Sequence, residues 1–310
     1  MKLISIVTAC YNEEENVETL YEKVKEVMSS LTDYNYEHIF IDNASKDKTV
    51  EILKGLAKED KKVKIIVNAR NFGHIRSPYH GLLQATGEAV ISIVADLQDP
   101  PSMIVDFIKK WEEGYKVVVA VKKKSKESAI MFFIRKLYYN LISNLSEIEL
   151  IKNFTGFGLY DKKVIEALRQ IDDPYPYFRG LICDIGFERC EVEYTQPRRE
   201  RGITKNNFYS LYDMAMLGIT NHSKIPLRCA TMAGFIMSIF SFIVGLAYLI
   251  YKLIDWQNFQ LGIAPAVIGL FFCSSVQLFF TGILGEYIGS IHTQVLKRPL
   301  VIEKERINFE

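Results

Sequence analysis

The 310-residue sequence has almost no excess of charge of either sign, because 38 lysines and arginines balance 37 aspartates and glutamates. This balance argues against a dedicated nucleic-acid-binding protein, which would carry a large basic surface. The five cysteines form neither a CxxC pair nor an even framework, which argues against a disulfide scaffold and a structural zinc module. The first residues lack the apolar core of a signal peptide and the composition of a transit peptide. We therefore expect a chain that faces a reducing cytosol and has no cleaved leader.

Several common ligand-binding motifs are missing as well. The sequence has no GxxxxGK[ST] loop, Gly156-Phe157-Gly158 does not open a GxGxxG fingerprint, and the five histidines show no paired metal spacing. P-loop nucleotide hydrolysis, dinucleotide binding and a histidine-based metal site are therefore excluded as leading interpretations.

Long uncharged runs are abundant in the last third of the chain. No charge occurs in the 23 residues of Cys229–Tyr251 or in the 30 residues of Trp256–Gly285. Because about 20 apolar residues in a helix cross the hydrocarbon core, we predict two transmembrane helices at about 229–252 and 261–285. Cationic residues flank the outer ends of this pair: Lys224, Arg228, Lys297 and Arg298. Cations concentrate on the cytoplasmic side of membranes, so both outer ends are predicted to be cytoplasmic.

Residues 1–206 show short β-rich runs that alternate with helix-period segments. The predicted strands are Leu3–Ala9, Tyr36–Ile41, Val63–Val67, Ala89–Ala95 and Lys116–Val121. The clearest helix pattern runs from Val17 to Leu31, with apolar residues at steps of three and four. This alternation predicts an α/β fold with a mainly parallel sheet, whose ligands bind beyond the carboxyl ends of the strands.

Two amphipathic segments, Ala129–Leu145 and Phe208–Ile219, can be either core helices or helices on the membrane surface. The neighbouring spans favour the membrane surface. The predicted organisation is a catalytic domain over 1–206, a juxtamembrane amphipathic helix over 207–226, and the two spans with a cytoplasmic tail over 227–310.

Acidic and amide side chains follow three of the predicted strands, in Ala9–Asn16, Asp42–Asp47 and Ala95–Pro101. Each cluster alone can be read as a helix N-cap. Three clusters at one edge of a sheet also suit a hard divalent cation that bridges a diphosphate, with Asp96 and either Gln98 or Asp99 spaced to reach it. The pattern therefore suggests a nucleotide-diphosphate substrate.

The same motifs resemble those of the family 2 glycosyltransferases with the GT-A fold. The similarity is to the polyprenyl-phosphate subgroup, which includes bactoprenol glucosyltransferases and dolichol-phosphate mannose synthases. Tyr11–Asn16 matches the family's Y-N-E-E-E-N element, Asp42–Asp47 reads DNASKD against D-D-G-S-x-D, and Asp96–Pro101 is D-L-Q-D-P-P without a change. The Arg70–Gly73 and Leu284–Gly289 elements also resemble those of the subgroup.

The resemblance implies a role for each matching residue. The nucleotide-binding residues would be Ala9, Tyr11, Glu13, Asp42 and Arg70. Asp96 and Gln98 would hold Mg²⁺ or Mn²⁺. The family signature R-x-x-G-x-S-K corresponds to Arg199–Lys205, whose cations Arg199, Arg201 and Lys205, together with Arg135, would bind the acceptor phosphate. The residues implied as catalytic are Asp96, Arg199 and Lys205.

The implied reaction is inverting transfer of one sugar from a nucleotide-diphosphate sugar, UDP-hexose rather than a GDP-sugar, to polyprenyl phosphate. It would take place at the cytoplasmic face of the membrane and serve cell-envelope glycan modification. A lipid phosphate is already anionic near neutral pH, so this reaction requires no protein base. The Gly285-x-x-x-Gly289 pair is compatible with helix packing in a homo-oligomer.

The sequence also departs from the family pattern. Val94 stands where relatives often have the first acid of a DxD, Thr155–Leu159 reads TGFGL against G-D-F-R-L, and Asn43 replaces a second aspartate. These departures leave open a catalytically degenerate nucleotide-sugar-binding or scaffold subunit. A glycosyltransferase for a non-phosphate lipid acceptor is also left open, although that reaction would need a general base.

Overall fold

The computed structural model describes residues 1–122, 150–197, 208–254 and 263–309. The predicted amphipathic segment Ala129–Leu145 lies outside the described residues. The same holds for four of the predicted phosphate-binding residues: Arg135, Arg199, Arg201 and Lys205.

The described residues form eight strands and nine helices. The strands are β1 (Lys2–Cys10), β2 (Tyr34–Asp42), β3 (Val63–Asn68), β4 (Ala89–Val94), β5 (Val117–Lys122), β6 (Phe154–Asp161), β7 (Arg189–Tyr194) and β8 (Glu303–Ile307). The helices are α1 (Val17–Ser30), α2 (Thr49–Glu59), α3 (Gly73–Gln84), α4 (Met103–Glu112), α5 (Lys162–Gln170), α6 (Phe178–Asp184), α7 (Phe208–His222), α8 (Ile225–Ile254) and α9 (Ile263–Val295).

All eight strands belong to one sheet of order β7-β5-β6-β4-β1-β2-β3-β8. The central strands β4, β1, β2 and β3 are parallel, and β7 is parallel to β5. Strand β6 runs antiparallel to both of its neighbours, and β8 runs antiparallel to β3. The five predicted strands and the mainly parallel α/β fold are therefore confirmed.

Helices cover both faces of the sheet, which explains why the central strands are apolar almost throughout. One face packs against α1, α2 and α4 through residues such as Leu20, Leu53 and Phe107. The other face packs against α3, α5 and α6 through residues such as Tyr79 and Leu168. The sheet therefore forms the rigid base from which the loops at its carboxyl edge project.

Helices α8 and α9 are long and apolar enough to cross a membrane. Their large apolar side chains point away from the protein, with Phe242 71% and Leu278 71% exposed. Helix α9 continues to Val295, ten residues beyond the predicted end of the span at about 285. Its last part contacts α7, because the Tyr212 hydroxyl of α7 donates to Glu286 at 2.9 Å, and the Tyr287 hydroxyl donates to the carbonyl of Ser223, directly after α7, at 2.7 Å.

The chain returns to the sheet after α9. Strand β8 pairs with the edge strand β3, Ala69 N donates to Ile302 O at 2.8 Å, and the Asn308 amide donates to the carbonyls of Ala57 and Val63 at 2.8 Å each. From the sequence, this segment is predicted only to be part of a cytoplasmic tail. The structure adds that the tail completes one edge of the sheet.

Candidate active site

The three motif loops at the carboxyl edge of the sheet share an uncommon backbone conformation. After β1, β2 and β4, one residue that is not glycine has a left-handed φ: Asn12 at 54°, Ala44 at 63° and Leu97 at 59°. Such residues cost free energy and persist where surrounding contacts hold them, often at functional sites. The strain therefore marks the same three loops that the motifs indicate.

Hydrogen bonds join the loops after β1 and β2 into one unit. The backbone nitrogen of Asn12 donates to Ser45 Oγ at 2.8 Å, and the backbone nitrogen of Lys46 donates to Asn12 Oδ1 at 2.8 Å. Glu13 N donates to Thr49 Oγ1 at 2.9 Å. Because each loop satisfies polar groups of the other, the YNEEEN and DNASKD elements hold a fixed relative position.

Asp42, the last residue of β2, is buried behind this pair of loops. Its carboxylate accepts hydrogen bonds from the Ser45 amide at 2.9 Å and from the Ser45 hydroxyl. Burial raises the pKa of Asp42, and the negative charge of Asp47 raises it further. The carboxylate therefore helps to shape the β2 loop in the absence of substrate.

Asn43 connects the β2 loop to the Arg70–Gly73 element. Its amide donates to Asn71 Oδ1 at 3.0 Å and to the Gly73 carbonyl at 3.1 Å, while its oxygen accepts from Phe72 N at 2.8 Å. An aspartate has no donor for the first two bonds. This explains physically why an asparagine fits this position, where relatives have a second aspartate.

A cavity of about 530 Å³ opens at this edge of the sheet and brings several predicted residues together. Tyr11, Glu13, Asp96 and Gln98 line it, together with Asp99. The lining, as far as the described residues show it, does not include Ala9, Asp42 or Arg70. Ala9 and Asp42 lie at the ends of β1 and β2. The Arg70 guanidinium lies 4.0 Å from the centre of the Phe72 ring.

The acidic residues of the D-L-Q-D-P-P element fit a divalent cation by their chemistry. Asp96 accepts a hydrogen bond from Gln98 N at 3.1 Å. Asp99 is only 3% exposed and accepts from the Tyr194 hydroxyl at 3.1 Å. Burial raises the pKa of Asp99 to about 6, and the negative charge of Asp96 contributes to the rise. Two carboxylates that repel each other beside a cavity are suited to a cation.

The described residues contain no group of three or more histidine, cysteine, aspartate or glutamate side chains arranged to hold a metal. A cation bound at Asp96 would therefore need oxygen ligands from a substrate or water. This arrangement is usual for Mg²⁺, which binds through one or two carboxylates together with substrate phosphates.

One wall of the cavity is not among the features predicted from the sequence. The segment Pro176–Arg179, between α5 and the first residues of α6, lines it together with His74. Desolvation lowers the pKa of His74, and the positive charge of Arg179 lowers it further. The sequence DDPYPYFRG after α5 could have indicated this wall, because two prolines, three aromatic residues and an arginine are unusual in a loop that only connects two elements.

The model of glycosyl transferase family 2 matches residues 5–169, which is more than half of the chain. The chain belongs to glycosyltransferase family 2. The matched range includes β6 and the three motif loops, the third of which carries the D-L-Q-D-P-P element.

The family model of the GtrB C-terminal hairpin matches residues 226–291 of this glycosyltransferase. A similar protein is the uncharacterized glycosyltransferase YkcC of Bacillus subtilis, 38% identical over 99% of this chain and 94% of its own length. The uncharacterized glycosyltransferase sll0501 of Synechocystis is 35% identical over 99% and 96%. The SfII prophage-derived bactoprenol glucosyl transferase of Shigella flexneri is 34% identical over 97% of both chains. Similarity therefore covers both the catalytic domain and the hairpin.

The structure gives physical reasons for two departures of this glycosyltransferase from the family motifs. Gly158 in β6 lies so close to β5 that an added Cβ would be 2.3 Å from the Val118 carbonyl oxygen, so no arginine fits there. Gly156 has a φ of 101° and lines the cavity, as does Val94. This backbone conformation favours glycine over any residue with a side chain, which accounts for the missing acid at position 156. An acid at position 94 would lie beside the cavity that Asp96 lines.

Proposed function

We propose that this glycosyltransferase transfers one hexose from UDP-hexose to polyprenyl phosphate at the cytoplasmic face of a membrane, with inversion at the anomeric carbon. The observation that carries the proposal is the position of the cavity. It opens at the motif loops, and Tyr177 in its wall lies against Gly218 of α7, the helix that precedes the apolar hairpin. A water-soluble donor and a membrane-bound acceptor can meet at such a place.

The donor side consists of the loops after β1 and β2. Tyr11 and Glu13 line the cavity, and Asp42 holds the β2 loop beneath them. Because the two loops are hydrogen-bonded to each other, a nucleotide would bind to a preorganised surface. Ala9 and Arg70 remain predictions for the same role.

Asp96, with Gln98 or Asp99, would hold Mg²⁺ or Mn²⁺ in this proposal. The bound ion would supply positive charge near the diphosphate leaving group. Asp99 lines the cavity with Asp96 and accepts a hydrogen bond from the Tyr194 hydroxyl; in this proposal its carboxyl group takes the place of the acid that is absent at Val94.

The acceptor side of the cavity is connected to the elements next to the hairpin. The Tyr175 hydroxyl donates to Asp213 of α7 at 3.3 Å, and Gln294 of α9 donates to Asp173 at 2.8 Å. Relatives of the chain are named bactoprenol glucosyl transferases, which supports a polyprenyl lipid as the acceptor. Arg135, Arg199, Arg201 and Lys205 are proposed as further cations for its phosphate.

The chemistry proposed is one displacement. An anionic oxygen of the lipid phosphate attacks the anomeric carbon, a new carbon–oxygen bond forms, and the bond to the nucleoside diphosphate breaks. The attacking oxygen carries no proton, so the residues of the cavity need only to hold and orient the two substrates. Attack from the side opposite the leaving group inverts the anomeric carbon.

A radiolabel assay in membranes tests the proposal. Vesicles that contain the protein and polyprenyl phosphate should convert labelled UDP-hexose to a chloroform-soluble product when Mg²⁺ or Mn²⁺ is present. Asp96→Asn should reduce the rate by a factor of about 100 or more, the usual scale for loss of a key electrostatic group. Equal product from the variant would contradict the site, and no product from the wild type with any nucleotide hexose would contradict the reaction.

A further inference from the structure

We propose that Arg179 binds the phosphate group of the lipid acceptor. This inference rests on the proposed function and adds to it a residue that neither the family motifs nor the sequence analysis indicates.

Arg179 lines the same cavity as Asp96 and Gln98. The other charged groups of the lining, as far as the structure describes it, are the carboxyl groups of Glu13, Asp96 and Asp99. Carboxylates repel the phosphate groups of both substrates. The positive charge of Arg179 is therefore the electrostatic complement of these phosphates in the cavity.

The chemistry of arginine suits a phosphate. The guanidinium has five N–H donors in a planar fork, so it can bind two phosphate oxygens at once and still keep bonds to the protein. His74 lines the same cavity as Arg179. A neutral imidazole beside the arginine can donate one further hydrogen bond to the same phosphate.

The position of Arg179 favours the acceptor over the donor. The residues just before its segment contact the elements next to the membrane, because the Tyr175 hydroxyl donates to Asp213 of α7 and Asp173 accepts from Gln294 of α9. The neighbouring Tyr177 also contacts α7, because a Cβ added to Gly218 would lie 3.5 Å from the Tyr177 ring. The donor loops after β1 and β2 contain none of these contacts. We therefore expect a phosphate that enters from the side of α7 to meet the wall of the cavity that holds Tyr177 and Arg179.

Steady-state kinetics with undecaprenyl phosphate in nanodiscs, and the nucleotide hexose that the wild type uses best, test the proposal. For Arg179→Gln we expect the KM for undecaprenyl phosphate to rise about tenfold to one-hundredfold, the scale of a lost charge-assisted hydrogen bond. The KM for the donor, and the Kd for UDP with Mn²⁺ by calorimetry, should stay within about twofold. Arg179→Lys should give an intermediate KM because it keeps the charge and loses the fork.

The control is Lys109→Gln, which removes an exposed cation from α4 outside the cavity and should leave both KM values unchanged. A loss of UDP affinity in an Arg179→Gln protein whose Tm equals that of the wild type, or an unchanged KM for the lipid, would overturn the proposal. If Arg179→Gln fails to fold, as shown by lost UDP binding and a lowered Tm, Arg179→Lys provides the same comparison. An inactive wild type would contradict the proposed function instead, so the two failures are distinguishable.

Discussion

At the scale of single residues, the chemistry of the cavity depends on a few substitutions relative to the family motifs. Val94 is 43% exposed and lines the cavity with Asp96. It occupies the position where relatives often have the first acid of a DxD. The tolerance of this site for an aspartate is therefore a question of charge rather than of space.

We expect Val94→Asp to strengthen metal binding, because a third carboxylate near Asp96 and Asp99 adds negative charge to the ligand set. The half-saturating Mn²⁺ concentration in electron paramagnetic resonance titrations should fall roughly tenfold, the effect of about 1.4 kcal/mol. Val105→Asp is a matched control, because Val105 is 42% exposed on α4 and does not line the cavity. Equal Mn²⁺ affinity of the two variants would argue against a cation at Asp96.

At the scale of elements, the paired strands β1 and β2 lie in the middle of the sheet and bury several titratable side chains, among them a histidine. His38 of β2 is fully buried, and its Nε2 shares a hydrogen bond with Thr8 Oγ1 at 2.9 Å. The centres of the His38 and Phe40 rings are 4.0 Å apart. Its Nδ1 has no hydrogen-bond partner among the described residues. Burial lowers the pKa of His38 from 6.5 to about 3.

This depressed pKa gives the stability a defined pH dependence. Between pH 6.5 and about 3 the unfolded chain binds a proton at His38 that the folded chain does not bind, so stability falls as the pH falls through this window. The slope should approach roughly 1.4 kcal/mol per pH unit from this group. We expect His38→Gln to have a shallower dependence of Tm on pH between 6.5 and 4 than the wild type. Identical slopes would show that His38 does not titrate on unfolding.

At the scale of the whole molecule, the apolar hairpin is fixed to the catalytic domain on both sides. The chain enters the hairpin through α7 and returns to β3 as β8. Between α9 and β8, the Pro299 carbonyl accepts a hydrogen bond from Arg76 of α3, near cavity residues His74 and Ile75. A single flexible connection would leave the orientation of the cavity relative to α8 and α9 free. Two connections restrict that orientation.

Strand β8 should therefore contribute to the stability of the whole domain. Asn308→Gly keeps a backbone that tolerates the φ of 61° but loses the amide bonds to Ala57 and Val63. We expect a loss of about 1–3 kcal/mol, measured as a lower Tm of the solubilised protein. Lys61→Met, which removes only an exposed contact with Asn308, should change stability by less than about 0.5 kcal/mol. A Tm for Asn308→Gly equal to that of Lys61→Met would mean that β8 is not held in this way.

Much of this architecture could be predicted from the sequence because its signals are local. The strands β1 to β5, the helix α1 and the two long apolar helices each follow from residue patterns within a few turns of chain. The motif loops could be assigned to one edge of the sheet because parallel strands place their carboxyl ends together. The presence of Tyr11, Glu13, Asp96 and Gln98 around one cavity agrees with that argument.

The tertiary structure alone decided the rest. Strand β8 reads EKERI, whose charges give no strand signal, and it is a strand only because β3 offers it an unpaired edge far away in the chain. Arg179 enters the cavity because α6 packs on β6 and α7 packs on Tyr177, and His74 enters it because α3 packs on β1 and β2. The sequence by itself determined which elements form and where the acidic loops lie. Which remote segments complete the sheet and the cavity wall depended on long-range packing, since those contacts join residues that no local periodicity relates.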